Sequence, residues 1–379
     1  METKNKKGIL LLVFICIILC VICLAEYALL SGSREQNRQL RSVAGLSQEK
    51  QKGASKVQNK AGEKNIDTEK DADTDTNVGD GIKAHGKLAV KGADLVDESG
   101  DKVQLRGMSS HGLLWYPEYT NYASIYETKK QGANMFRIAM YSDDASGGYV
   151  QQPELSWKLM QAAVENTLAA DMYAIVDWHV LNDQTPLRNV EKAKQFFSEV
   201  SALYGKEEGI IYEICNEPNG DTTWEDIAEY ANQVIPVIRA NAPDAVILVG
   251  TPDYSYSVTA VNKAALSYDN LMYSYHFYAG QYDNAYKNII ADCRKSGIPV
   301  FVSEWGINTE QDKEGALKQG EQFAEYLNKE GISFAAWSLC NKEEVFSALK
   351  PECKKYTGWK ESDLTEVGKI VFSALKGEK

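Results

Sequence analysis

From residue 87 onward the chain alternates between two textures. Short, nearly continuous apolar runs recur eight times, and between them apolar residues return every third or fourth position. The first texture is that of strands buried on both faces, and the second is that of helices with one apolar stripe. The runs are "VQLRGMSSHG" (103–112), "ANMFRIAM" (133–140), "MYAIVDWH" (172–179), "IIYEICNEP" (210–218), "AVILVG" (245–250), "LMYSYHFY" (271–278), "PVFVSEWG" (299–306) and "SFAAWSLC" (333–340). Their starts lie about 26–39 residues apart, the length of a βα unit. Intervening stretches such as "NVEKAKQFFSEVSALYG" and "WEDIAEYANQVIPVIRANAP" are amphipathic and stop at Gly or Pro. Eight βα units predict a closed (β/α)8 barrel of the TIM type. An open doubly wound sheet is the weaker alternative, because no Gly-rich phosphate turn follows the first strand. Just ahead of the barrel, "KLAVKGADLVDESGDKVQL" alternates in polarity and predicts a hairpin turning at Ser99–Gly100.

The segment before residue 83 reads differently. Residues 31–82 contain no aromatic residue and few large apolar ones, so they predict a polar flexible linker. Within it, "DADTDTNVGDG" has no register that supplies both the Gly and the Glu of a calcium-binding loop. Residues 1–30 hold an uncharged apolar run from Ile9 to Ala25 after Lys4, Lys6 and Lys7. That is near the lower limit of about 17 residues for crossing a bilayer. It predicts a signal anchor; a cleaved signal peptide is the alternative, although Cys23-x-Ala25 makes a poor cleavage site. A buried soluble helix is a third reading. On the first, residues 83–379 form a barrel domain held at the cell surface, membrane-anchored and facing outward; on the second it is secreted. The chain is expected to act as a monomer, and the barrel is expected to reach the C-terminus without a separate binding module.

Composition narrows the partners. Of the 379 residues 44% are apolar, enough for a large core, and the net charge of −12 argues against nucleic acid. The 21 tyrosines and 7 tryptophans suit neutral, flat-faced ligands such as sugars. Of the 7 cysteines, Cys16, Cys20 and Cys23 lie in the apolar run; Cys215, Cys293, Cys340 and Cys353 are scattered with no metal-type C-x-x-C spacing, and Cys215 and Cys340 read as small buried strand residues.

The polar residues gather where the predicted strands end. The first ends in His111, the second in Arg137 with Tyr141 beyond, the third in Asp177-Trp178-His179 and the fourth in Asn216-Glu217. The sixth carries His276 and Tyr278, the seventh Glu304-Trp305 and the eighth Trp337. In a barrel these ends converge on one mouth. Any single one is accounted for by a strand-end hydrogen bond, but seven together point to an active site. Glu217 and Glu304 then face each other across the mouth. Two opposed carboxyls can cleave a glycosidic bond, one protonating the leaving oxygen and the other attacking carbon or activating water. The acid needs a raised pKa, and the partner needs a group such as Arg137 to hold it ionised. Zinc hydrolysis is the competing chemistry, because His111, His179 and His276 could ligate a metal. Against it, Gly112 and Leu113 follow His111 with no His-x-His, and no carboxylate ends the eighth strand. Neither a metal nor a cofactor is expected.

The stretches "GMSSHGLLWY", "NMFRIAMY", "IVDWHVLND", "IYEICNEPNG", "VIPVIRANAP", "MYSYHFYAG", "FVSEWG" and "AWSLCNKEE" resemble, in order, glycoside hydrolase family 5, especially its bacterial endo-β-1,4-glucanases. The resemblance runs from about residue 87 to "TGWKESDLTEVGK". It implies a retaining mechanism with Glu217 as acid/base and Glu304 as nucleophile. It also implies that Asn216 bonds the sugar 2-hydroxyl, that Tyr278 and Arg137 position Glu304, and that His276 stands beside Glu217. His111 and His179 would bind hydroxyls, and Trp337, Trp115 and Tyr141 would form the stacking floor. Lys342 and Glu344 would hold more distant units, and Tyr254 would replace a tryptophan after the fifth strand. Leu114 and Val345 depart from the family pattern near the cleft, which leaves polymer preference open. The implied substrate is cellulose or a related β-glucan. The alternatives are mannan or xyloglucan under the same chemistry, or an inactive surface protein that only binds glycans.

Overall fold

The computed structural model describes residues 80–377, apart from the Lys263 side chain. The expected signal anchor and all but the last three residues of the expected linker lie outside the described residues. Among the described residues, no helix is long and apolar enough to cross a membrane.

A hairpin, β1 (Ala89–Lys91) and β2 (Asp94–Val96), precedes eight parallel strands. These are β3 (Arg106–Ser110), β4 (Met135–Tyr141), β5 (Tyr173–His179), β6 (Ile210–Glu213), β7 (Ile247–Val249), β8 (Leu271–Ala279), β9 (Val300–Ile307) and β10 (Phe334–Leu339). They close in chain order, β10 pairing with β3. The helices are α1 (Ile82–His85), α2 (Tyr122–Lys130), α3 (Pro153–Ala169), α4 (Val190–Tyr204), α5 (Trp224–Arg239), α6 (Tyr286–Lys295), α7 (Lys313–Glu330) and α8 (Glu366–Leu375). In α4 the buried positions Ala193, Phe196, Phe197, Val200 and Tyr204 follow the helical stripe read from the sequence. Helix α5 starts at a reciprocal capping box between Thr223 and Asp226, which satisfies two orphan N–H groups.

Four expectations need correction. The hairpin pairs Lys91 with Asp94 across Gly92–Ala93, whereas Ser99–Gly100 forms a second turn closed by a lone Val96–Lys102 bridge. Gly92 takes φ 64° there, which glycine adopts without steric cost. The fourth strand stops at Glu213, so Asn216 and Glu217 stand on the loop beyond it. After β7 there is no α-helix of ordinary length, but a turn at Pro252–Ser255 and a 3-10 helix at Val258–Lys263. The ordered domain also begins before residue 83. Lys83 N–H donates to Asp171 Oδ1 at 2.9 Å, and Ile82 packs onto the apolar floor of the barrel.

That floor is one layer of a two-layer interior. Met135, Ile175, Ile211, Met272, Phe301 and Ala335 project inward from six strands and pack with Leu88, Leu95 and Leu105 near the hairpin. Side chains alternate along a strand, so two residues further on the same inner face carries Arg137, Asp177, Glu213, Ser274, Ser303 and Trp337. The lower layer closes the barrel and the upper one is polar. Ile82 completes the closure, its side chain lying directly over Gly209, where a Cβ would collide with it. Replacing Ile82 with Ala should lower stability by about 1–2 kcal/mol, the low end for a partly buried truncation. Thermal unfolding should then fall by roughly 3–6 °C with kcat unchanged. An unchanged midpoint would show that residues 80–85 are not part of the domain.

Candidate active site

Arg137 is the centre of the polar layer and is fully buried. Its Nε donates to Glu213 Oε2 at 2.6 Å, its Nη1 to Glu304 Oε2 at 2.9 Å, and its Nη2 to Asn216 Oδ1 at 2.6 Å. Asp177 Oδ2 lies 3.0 Å from Nη2. Burial disfavours the charged guanidinium, but the Asp177, Glu213 and Glu304 carboxylates outweigh that effect and push its pKa further up.

Glu304 reaches this layer through an irregularity in β9. Opposite β8, Ser274 pairs with Phe301 but His276 pairs with Glu304, so β9 carries an extra residue there. The bulge lets the successive residues Ser303 and Glu304 both face the interior, where strict alternation would send one outward. Tyr278 OH donates to Glu304 Oε1 at 2.7 Å. Glu217 is placed by its loop, its N–H donating to Val180 O at 3.0 Å. Its Oε1 lies 2.9 Å from His276 Nδ1.

The two carboxyls sit in different surroundings. Burial pushes Glu217 up to about 8; Arg137 opposes the rise, while the Asp177 and Glu213 charges add to it. Glu304 is also raised, by burial and then by Glu217, while His276, Arg137 and His179 oppose. Only Glu304 receives donors from both Arg137 and Tyr278. Burial holds His276 down to about 4 and His179 down to about 3, so both rings are neutral near pH 7. Asp177, 2.6 Å from His179 Nδ1, is pushed by burial up to about 7.

The closest ligand-type atoms of Glu217, His276 and Glu304 all lie within 4.8 Å of one another. Among the described residues, this is the group spaced closely enough to hold a metal ion. The same spacing suits two carboxyls sharing one reaction centre. Retaining glycosidases place them about 5–5.5 Å apart, whereas inverting enzymes leave about 6.5–9.5 Å for a water molecule.

Aromatic rings wall the mouth. Trp337 stacks on His179 at 5.3 Å and meets His111 at 5.2 Å; Tyr141 lies 4.2 Å from His179 and 4.6 Å from Trp115. Gly112 permits this closeness, since a Cβ there would strike the Trp115 ring. His111 Nδ1 accepts from Gly112 N–H at 2.7 Å, and its Nε2 faces Lys342 Nζ at 3.3 Å and Glu344 Oε1 at 3.7 Å. Lys342 pairs with Glu344 at 2.6 Å. Tyr254 stands 48% exposed on a turn where Asp253, Tyr254 and Ser255 all have φ between 55° and 59°. Such left-handed residues cost about 1–2 kcal/mol each. Ser255 offsets part of this, its Oγ accepting from Thr251 N–H at 3.1 Å and donating to Asn216 O at 2.6 Å. The turn thus braces the Asn216–Glu217 loop.

The structure gathers the residues expected from the sequence at this one end. Trp178 and Trp305, named among the strand ends, are core residues with no exposure. Sequence reasoning placed Asp177 at a strand end without a role of its own, and missed Glu213, Ser274 and Ser303 as site residues. Glu213 did leave a signal, a lone charge inside the apolar run "IIYEIC"; the serines left none.

A family model described as Cellulase (glycosyl hydrolase family 5) matches residues 96–343. The chain is 44% identical to Endoglucanase A of Butyrivibrio fibrisolvens, an alignment spanning 75% of this chain and 67% of the relative. It is 40% identical to an endoglucanase of Clostridium saccharobutylicum, spanning 77% and 65%. The chain thus covers about two thirds of the length of these relatives. Among solved structures, it superposes on the catalytic domain of Thermobifida fusca endoglucanase Cel5A with a TM-score of 0.73 and 32% identity, covering 78% of this chain and 98% of that one. A second structure of that domain, in complex with cellotetraose, matches at 31% identity with the same TM-score and coverage.

The raised carboxyls make stability depend on pH. Folded Glu217 keeps its proton to about 8, whereas unfolded it titrates near 4.5, so the folded state binds more protons in between. Its contribution is present below about pH 4.5 and is lost as the pH rises through 8. Glu217→Gln should therefore match the wild type in thermal stability near pH 4.5. It should become more stable with rising pH, by on the order of 2–5 kcal/mol at pH 8. Thermal unfolding of both proteins across that range checks the sign, and a pH-independent difference would refute it.

Proposed function

The chain belongs to glycoside hydrolase family 5, and we propose that it is a retaining endo-β-1,4-glucanase acting on cellulose or a related β-glucan. The observation that carries the mechanism is the close approach of Glu217 and Glu304 in unlike settings. Glu217 lies against a neutral imidazole and favours its protonated form, as a general acid requires. At Glu304 the donors from Arg137 and Tyr278 support the carboxylate against the upward pull of burial, as a nucleophile requires.

Glu217 gives its proton to the glycosidic oxygen while Glu304 attacks the anomeric carbon, releasing the reducing-side fragment and leaving a glycosyl ester on Glu304. Glu217, now a carboxylate, takes a proton from water, which displaces Glu304 and restores both groups with net retention. Asn216, held through Oδ1 by Arg137 and through Nδ2 by Val180 O, is the group that would bond the 2-hydroxyl, an interaction that tightens as charge develops. Trp337, Tyr141 and Trp115 offer ring faces and edges to the apolar faces of glucose, and His111, His179, Lys342 and Glu344 offer polar contacts beside them. Tyr254 offers its ring from an exposed turn tied to the loop of Glu217 through its N–H, which donates to Pro218 O at 3.0 Å.

The working location is read from the apolar run Ile9–Ala25, which would tether the barrel to the membrane, facing outward. Fractionation of the producing cells with N-terminal sequencing tests it; mature protein in the culture fluid beginning near Glu26 would identify a cleaved signal instead.

The substrate is tested by hydrolysis of carboxymethylcellulose beside galactomannan, with turnover expected on the first. Glu304→Gln should abolish turnover yet retain oligosaccharide binding. Glu217→Gln should lose about 10²–10⁴ in kcat on polymer but far less on an aryl cellobioside whose leaving group needs no proton. Equal losses on both substrates would refute this division of roles. Proton NMR of the first product should show the β-anomer; an initial α-anomer would exclude retention.

A further inference from the structure

Glu213 touches no open part of the mouth, yet a buried chain of hydrogen bonds connects it to Glu217. Glu213 Oε2 accepts from Arg137 Nε at 2.6 Å, and Oε1 accepts from Ser274 Oγ at 3.0 Å. Ser274 Oγ lies 2.9 Å from Ser303 Oγ, which lies 3.0 Å from His276 Nε2. His276 Nδ1 completes the path, 2.9 Å from Glu217 Oε1. The four relay members from Glu213 to His276 are at most 2% exposed, so water does not compete for these bonds.

Counting protons gives the chain a direction. Each serine hydroxyl has one proton to donate. Ser274 gives its proton to Glu213, so towards Ser303 it can only accept. Ser303 therefore donates to Ser274, and towards His276 it too can only accept. His276 must then carry its proton on Nε2. The ring is neutral, so Nδ1 presents a lone pair, and Glu217 can bond to it only as a protonated donor.

We propose that Glu213 is a positioning residue that, through Ser274 and Ser303, holds His276 in its Nε2–H tautomer and so keeps the catalytic proton on Glu217. The proposal rests on Glu217 being the acid of the reaction described above. The other groups facing Glu217 do not supply this direction. Arg137 on β4 favours its ionised form, Asp177 on β5 favours the protonated form by charge alone, and Glu304 on β9 repels a second negative charge. Tyr141, Tyr278 and Tyr282 stand in its field, with burial first among the causes that raise each of them.

Glu213→Gln reverses the relay. Arg137 Nε still needs an acceptor, so the amide oxygen must face it and the amide N–H must face Ser274. Each serine then donates onward, His276 Nε2 accepts, and Nδ1–H donates to a Glu217 carboxylate. A hydrogen bond to the charged form lowers a pKa. The basic limb of the kcat/KM profile on carboxymethylcellulose should move down by at least about one pH unit. In the full chain with ¹⁵N-labelled histidine, the His276 proton should shift from Nε2 to Nδ1.

Ser274→Ala breaks the path while leaving the Glu213 charge in place, and it should move the limb in the same direction by a smaller amount; it decides the matter should Glu213→Gln fail to fold. A merely structural role would lower kcat at every pH without moving the limb. The proposal is overturned if the limb stays in place in the folded variants, or if wild-type His276 carries its proton on Nδ1. The histidine spectrum reports on the relay even if the protein proves inactive on β-glucans, so failure of the relay and failure of the substrate reading remain distinguishable.

Discussion

Arg137 is a single cation, out of contact with solvent, placed among the carboxyl groups of Asp177, Glu213 and Glu304, with Glu217 close by. One positive charge cannot balance four buried negative ones, and a buried ion without a partner costs several kcal/mol. The arrangement is tolerable only if some of these carboxyls keep their protons. Glu217 is raised to about 8 and Asp177 to about 7, each chiefly by burial and each opposed by Arg137. The supply of a catalytic acid near neutrality is thus a consequence first of burial in the barrel interior, to which the Asp177 and Glu213 charges add.

The two-layer interior makes that balance possible. A dry floor of Met135, Ile175, Ile211, Met272 and Phe301 lies beneath the polar layer and lowers the local dielectric response. Charges above it therefore interact strongly and shift pKa values far more than surface pairs would. The same burial destabilises the folded protein at alkaline pH, an instance of stability given up at a site for the sake of its chemistry. Hydroxyls on β8 and β9 fill the remaining positions in the layer, and because each has one proton they transmit direction as well as contact.

The surroundings of the reacting pair are built for rigidity. Asn216 is held by Arg137 at its side chain and by Ser255 at its carbonyl, and His179 and His276 are each fixed through a buried partner. A sugar entering between the Trp337 and Tyr254 sides meets groups that need little reorganisation, which is how such sites favour a transition state over bulk water. The strained left-handed turn at Asp253–Ser255 belongs to this scheme: it couples the loop of the acid to the loop that displays Tyr254.

The periodicity of the chain determined the eight strands and their order, because apolar runs separated mostly by amphipathic helices have few ways to bury both faces other than a closed parallel barrel. It also marked the polar strand ends, and with them Glu217, Glu304, Arg137 and the three histidines at the mouth, since a charge at the end of a buried run has no packing reason to be there. Tertiary structure alone decided the rest. The extra residue in β9 that turns both Ser303 and Glu304 inward depends on the register of its neighbour, which no single strand encodes. The left-handed turn after β7 carries none of the glycines that would advertise it, because its conformation is imposed by Ser255 bonding to a distant loop. The path from Glu213 to Glu217 joins residues on three strands through serines that resemble any other core serine in sequence. Hydrogen-bond direction is a property of the closed chain of contacts, and it exists only once the barrel has brought those contacts together.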